Sequence, residues 1–229
     1  MWNNRIYVVA GYNASNTVQN TVFISPQLAS GGNITANWTS DADVPDVARY
    51  GGAVTAYANN LYLFGGNDGT NYLSDAQFSK IDSSNGTIGA WTFTTALPSY
   101  LSEADAFAAN GYMYIVGGRS AASSCRPSTL IAPISANTTI ASGNNPTGVG
   151  EWSSTNVRYA CGRYGVALAY SQGTLFVMGG GCTSPQNGSY TTGTITQSSK
   201  TVTGVGTNWT DNYIGNTITY ADASTATVV

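Results

Sequence analysis

Four short apolar runs, each closed by two small residues, constrain this chain of 229 residues more than any other feature. They are Ile6-Tyr7-Val8-Val9-Ala10-Gly11, Leu61-Tyr62-Leu63-Phe64-Gly65-Gly66, Tyr112-Met113-Tyr114-Ile115-Val116-Gly117-Gly118 and Leu175-Phe176-Val177-Met178-Gly179-Gly180. Their first small residues stand 55, 52 and 62 residues apart. A tryptophan follows each one, Trp38, Trp91, Trp152 and Trp209, after 28, 26, 35 and 30 residues. Two independent markers in phase define a repeat. A repeat of this length is one supersecondary unit that buries its apolar faces against its neighbours.

Two further markers give the unit its internal order. Arg49-Tyr50-Gly51 lies sixteen residues before Gly65, and Arg163-Tyr164-Gly165 lies sixteen before Gly179. The same offset from Gly117 falls on Leu101, so that unit has lost the Arg-x-Gly element. After the glycine pairs come Phe23-Ile24-Ser25-Pro26, Gln77-Phe78-Ser79-Lys80 and Leu130-Ile131-Ala132-Pro133. Each unit therefore reads as four short strands: a from Arg-x-Gly, b ending at the glycine pair, c the third apolar segment, and d carrying the tryptophan. Only 8% of residues are charged, where about a quarter is usual, so long surface helices lack their building material. Glycine, numbering 27, suits short strands and turns. Paired glycines at the end of b let neighbouring backbones approach closely, and each tryptophan supplies a large contact between units.

A four-stranded unit of about 50 residues is the size of a propeller blade. On Leu61–Gly66 with Trp91, and on the equivalent sets ending at Trp38 and Trp152, the chain resembles the kelch-repeat family, including the kelch-type propellers of galactose-oxidase-like proteins. The resemblance implies an all-β, kelch-type propeller over residues 1–189, with three and a half to four blades present. The first blade starts at its second strand, so the ring is expected to be incomplete and its open edges to favour self-association. Four blades is the lower limit for a closed ring. The turn before Trp91, Asn85-Gly86-Thr87-Ile88-Gly89-Ala90, is longer and richer in Gly and Asn than the family pattern. Residues 190–229 read either as the divergent end of the fourth blade or as an unfinished β-module. Their Thr-Ile-Thr-x-Ser-Ser-Lys-Thr-Val-Thr-Gly-x-Gly-Thr-x-Trp pattern resembles modules of phage tail and bacterial surface proteins.

Strand polarity puts the b–c loops and d–a connections on one face. Five of the six arginines fall there: Arg49, Arg119, Arg126, Arg158 and Arg163, interleaved with Tyr50, Tyr159 and Tyr164. Arg forks bind carboxylates and sulfates, and tyrosine rings stack on sugars and peptide groups. Arg119, Arg126, Arg158, Tyr50, Tyr159 and Tyr164 are the candidate ligand-binding residues. Arg49 and Arg163 occupy a repeat position and are assigned to bracing adjacent blades through backbone carbonyls; Gly65, Gly66, Gly117, Gly118, Gly179, Gly180, Trp38, Trp91 and Trp152 are the other structural repeat residues. Cys125 and Cys182 lie in b–c loops of consecutive units and form a candidate disulfide, with Cys161 an alternative partner for Cys182. Asn67, Asp68 and Asp75 bracket a hairpin whose spacing matches no standard calcium loop. Glu103 and Asp105, at i and i+2, share one face of a strand and are a weak acid/base candidate.

Function is narrowed mostly by exclusion. With 8 basic and 11 acidic side chains the net charge is −3, against a nucleic-acid partner. There is no histidine, which removes His bases and most zinc or copper sites, so no metal or cofactor is expected. No apolar run reaches a membrane span, and the first residues do not form a signal peptide. The expected role is a noncatalytic recognition or adhesion module of a surface-exposed, secreted or phage-structural protein. Its partner would be a protein or glycan, anionic if the arginines are free. The alternative is part of a glycan-active or galactose-oxidase-like enzyme whose catalytic residues lie outside this chain.

Overall fold

The computed structural model describes residues 2–30, 32–34, 36–121, 124–134, 140–142, 145–147, 150–158, 162–181, 194–198, 201–205, 217–219 and 225–227. Among them every regular element is a strand, and no helix is long and apolar enough to cross a membrane. The fold is all-β. A first sheet sets β1 (Tyr7–Tyr12), β2 (Val18–Ile24) and β3 (Thr39–Ser40) side by side. A second orders β4 (Ala53–Tyr57), β5 (Asn60–Asn67), β6 (Tyr72–Lys80) and β7 (Thr92–Thr94). The third carries β8 (Ser102–Ala109), β9 (Tyr112–Ala121), β11 (Ser128–Pro133) and β14 (Ser153–Arg158), with β10 (Ser124–Cys125) added at the end of β9. Between β11 and β14 lies a separate hairpin, β12 (Ile140–Ser142) with β13 (Asn145–Thr147).

Next comes the hairpin β15 (Tyr164–Ser171) and β16 (Thr174–Gly181). Two further hairpins follow: β17 (Thr194–Ser198) with β18 (Thr201–Val205), and β19 (Thr217–Thr219) with β20 (Thr225–Thr227). All pairings are antiparallel, and all but β9–β11 and β11–β14 join strands adjacent in sequence. Two-residue turns join β4–β5, β8–β9 and β15–β16, with both central residues at positive φ: Ala58 and Asn59, Asn110 and Gly111, Gln172 and Gly173. This backbone twist matches that of the flanking strands, which is why such turns suit tight hairpins.

From the second sheet on, neighbouring sheets meet along their first strands: β4 packs beside β8, and β8 beside β15. The glycine pairs make the joint. Gly11, Gly66 and Gly118 donate their N–H groups to the carbonyls of Arg49, Leu101 and Arg163 at 2.7, 2.8 and 2.7 Å. The second small residue of each unit is thus stitched to the first residue of the next unit's Arg-x-Gly position. Only a backbone carbonyl is required there, so Leu101 serves as well as an arginine.

Two cores fill the spaces between sheets. Val22, Ile24, Leu61, Ile81 and Ile88 pack between the first and second. Tyr62, Phe64, Leu97, Leu101, Met113, Ile115 and Leu130 pack between the second and third. β5 has a core on each side and is buried along its whole length, so its sequence is a continuous apolar run without alternation. The tryptophans do not sit in the outer strands as expected. Trp38, Trp91 and Trp152 each stand one residue before β3, β7 and β14. Outside the pleat, the ring is free to turn toward the preceding sheet. Trp152 donates its indole N–H to the Thr95 carbonyl at 3.0 Å and meets Phe64 edge-on at 5.6 Å. Trp91 packs on the first core. Trp38 belongs to the first sheet and stays 36% exposed. β16, by contrast with β5, leaves Phe176, Val177 and Met178 exposed.

Candidate functional site

The two strands that meet at each glycine pair kink together. Gly51 faces Gly66, Glu103 faces Gly118, and Gly165 faces Gly180, all at positive φ between 58° and 108°. Beyond the kink the strand ends stay paired, Tyr50 with Asn67, Ser102 with Arg119 and Tyr164 with Gly181, and carry polar and aromatic side chains. There Tyr12 stacks on Tyr50 with ring centres 4.4 Å apart. Glu103 bonds Arg119 at 2.6 Å, and the Arg119 guanidinium lies over the Tyr164 ring at 4.6 Å. The groups are near neighbours: the Glu103 N–H donates to the Gly51 carbonyl at 2.6 Å, next to Tyr50. Burial, foremost, and the Tyr12 hydrogen bond hold the Tyr50 phenol above its ordinary range. Glu103 pushes it the same way and Arg119 opposes. Four consecutive sheets thus contribute to one cluster.

The sequence suggested Glu103 only as an acid/base partner of Asp105, not as a member of this cluster. Glu103 stands where the sister strands have Gly51 and Gly165, with φ 58°. A side chain in this left-handed region costs about 1–2 kcal/mol. The signal was present in the sequence: the offset that placed Leu101 at the lost arginine also placed Glu103 at the lost glycine. As an acid/base pair with Asp105 it fails, because the two carboxylates have different partners. Asp105 reaches the neighbouring hairpin and accepts from the Leu168 N–H at 3.0 Å and from the Ala106 N–H at 2.8 Å.

Burial pushes the Asp105 carboxyl above its ordinary value of 3.8, with the two backbone N–H groups opposing. The native state therefore holds this proton more tightly than the unfolded chain, and its contribution to stability falls as pH rises from that ordinary value through the raised one. Asp105→Asn removes the titration. Its stability relative to the unsubstituted chain is expected to improve between pH 3.5 and pH 7, measured by urea unfolding at both. A difference that stays constant with pH counts against this reading.

The arginines whose side chains are described all have hydrogen-bond partners. Arg49 is fully buried and holds Asp75 through two bonds of 2.7 and 2.8 Å, while donating to the Gly65 and Val47 carbonyls at 2.8 and 3.1 Å. Gln77 completes the network by donating to Asp75 at 2.8 Å. Arg163 repeats the bond to the glycine pair, donating to Gly179 at 3.1 Å. Strand register puts Leu101 and Ser128 where Arg49 and Asp75 stand, so the third sheet replaces both charges together. Asp75 belongs to this brace and not to the hairpin turn, where Asp68 accepts the Thr70 and Asn71 N–H groups.

Arg119 was expected in a loop, but β9 continues through it to Ala121, and Glu103 neutralises it. Arg126 bonds the Ser99 hydroxyl. Arg158 ends β14, paired in register with Ser128 and not in a connection; its side chain lies outside the described residues. So do Tyr159, Cys161, Cys182 and Trp209. Cys125 is buried, and the candidate disulfide to Cys182 therefore lies outside the described residues as well. Among the described residues no three Cys, Asp or Glu side chains converge as metal ligands would.

No protein-family model matches the chain, and no curated protein does. Solved structures do. The chain is similar to the structure of YjhT, with a TM-score of 0.58 and 13% identity, over 78% of this chain and 56% of that one. The chain thus spans little more than half the length of that structure, and the likeness is one of fold.

Proposed function

We propose that this chain is part of a kelch-type β-propeller that works as a noncatalytic recognition or adhesion module of a surface-exposed, secreted or phage-structural protein. Its sheets are the blades, and the end bearing Tyr12, Tyr50, Glu103, Arg119 and Tyr164 is the binding face for a protein or glycan. One observation carries the reading: side chains from four consecutive sheets converge at that end, pairing aromatic faces with a charged couple. Rigid tyrosines bury large contact area at low entropic cost, and guanidinium and carboxylate groups fix orientation. The repeated stitch from each glycine pair to the next unit supports the propeller arrangement. The exposed apolar side chains of β16, Phe176, Val177 and Met178, support self-association.

The test is an array of glycans and peptides probed with the unsubstituted chain and with Tyr50→Ala/Tyr164→Ala. Each truncated aromatic anchor costs about 1–2 kcal/mol, so the pair is expected to weaken a bound ligand by about a hundredfold. Unchanged affinity for a ligand bound by the unsubstituted chain moves the site off this face.

A further inference from the structure

Resting on that reading, we infer that the cluster selects neutral, hydroxyl-rich saccharides over anionic ones, and that Glu103 is the residue that sets this choice. The arginine that would attract an anion already has its counter-ion. Glu103 and Arg119 form a 2.6 Å pair with side chains 21% and 22% exposed, so a ligand at this end meets both signs of charge together. A carboxylate or sulfate approaching Arg119 must displace Glu103 or lie against it, and like charges in contact oppose binding.

A sugar hydroxyl fits where an anion does not. One hydroxyl donates and accepts at once, so it can give its proton to the second Glu103 oxygen while accepting from an N–H of Arg119. Glu103 takes one bond from Arg119 Nη2, and a guanidinium carries five N–H donors, so Glu103 does not saturate it. Tyr12 and Tyr50, stacked on one another, and Tyr164 offer aromatic surface to the apolar faces of a pyranose ring. The carboxylate is also held at a position that disfavours any side chain. Its sister positions Gly51 and Gly165 share the left-handed backbone, with φ 62° and 64° against 58° at Glu103, and present no side chain. The fold alone asks for glycine there. Glutamate at that place puts a negative charge into the cluster where the repeat supplies none.

The experiment titrates the full chain with neutral hexasaccharides of glucose, galactose and mannose, and with hexauronates, at two salt concentrations. The unsubstituted chain is expected to bind a neutral hexasaccharide at least about tenfold more tightly than any hexauronate, with affinity nearly independent of salt. Glu103→Gln keeps the size and one acceptor and removes the charge. It is expected to bring the two classes within about threefold of each other, chiefly by strengthening hexauronate binding, which then weakens as salt rises. A preference of the unsubstituted chain for hexauronates, or a neutral preference unaltered in a folded Glu103→Gln chain, overturns the inference while leaving the binding face in place. Absence of binding to both classes overturns the saccharide assignment. Binding that survives Tyr50→Ala/Tyr164→Ala instead overturns the face itself.

Discussion

Arg49→Met is expected to destabilise the chain by about 3–5 kcal/mol, because it strands a carboxylate that has lost its counter-ion. The guanidinium is fully buried and accounts for two bonds to Asp75 and for the Gly65 and Val47 carbonyls. Methionine fills the volume and satisfies none of these acceptors. Urea unfolding of the two chains measures the loss. Asp75→Leu added to Arg49→Met is expected to recover a large part of it, since a buried pair removed whole costs far less than one partner removed alone. The third sheet shows why: Leu101 and Ser128 stand at these two positions, and the sheet forms without either charge. If the single change costs less than about 1 kcal/mol, Asp75 is solvated well enough to stand alone, and the brace is not structural.

Gly65→Ala is expected to cost about 2–5 kcal/mol, from left-handed backbone strain together with a collision against a neighbouring sheet. Gly65 has φ 55°. A Cβ there runs into the Leu101 carbonyl oxygen and lies 3.2 Å from that of Leu73. Leu101 is also the acceptor of the Gly66 N–H, so relief of the collision breaks the stitch between the second and third sheets. Gly179 is the internal control. It has φ 66° and nothing within 4 Å of its Cβ among the described residues, so Gly179→Ala is expected to cost only the strain, about 1–2 kcal/mol. Ala10 already occupies the same place in the first sheet, at φ 62°. Equal losses for the two substitutions mean that the sheets separate without penalty at Leu101.

Much of the architecture was legible because a repeat writes the same physical demand several times. The b strands and the small-residue pairs that close them recur in phase with the Arg-x-Gly and tryptophan markers, so pattern alone locates them. The tryptophans were legible as contacts between sheets but not as residues outside the strand, since a ring one position before a strand and one within it have the same spacing. The partners of the arginines were not legible, for a different reason. Composition counts charges, and nothing in a count tells which arginine has a carboxylate beside it. Arg49 was read as a brace between units, whereas its bonds tie strands of its own sheet, and its partner Asp75, read as a turn residue, stands 26 positions and two changes of strand away.

By itself, then, the sequence determined the all-β units, their order and their joints, because backbone conformation and apolar periodicity are local properties that repeat. Tertiary structure alone decided what the charges do. Glu103 meets Arg119 across a hairpin, Asp105 reaches Leu168 in the next unit, and Asp75 locks Arg49, at separations of 16, 63 and 26 residues. Those separations share no period. An ion pair depends on which side chains the packed sheets bring within about 4 Å of each other, and that distance is set only once the units are stitched together.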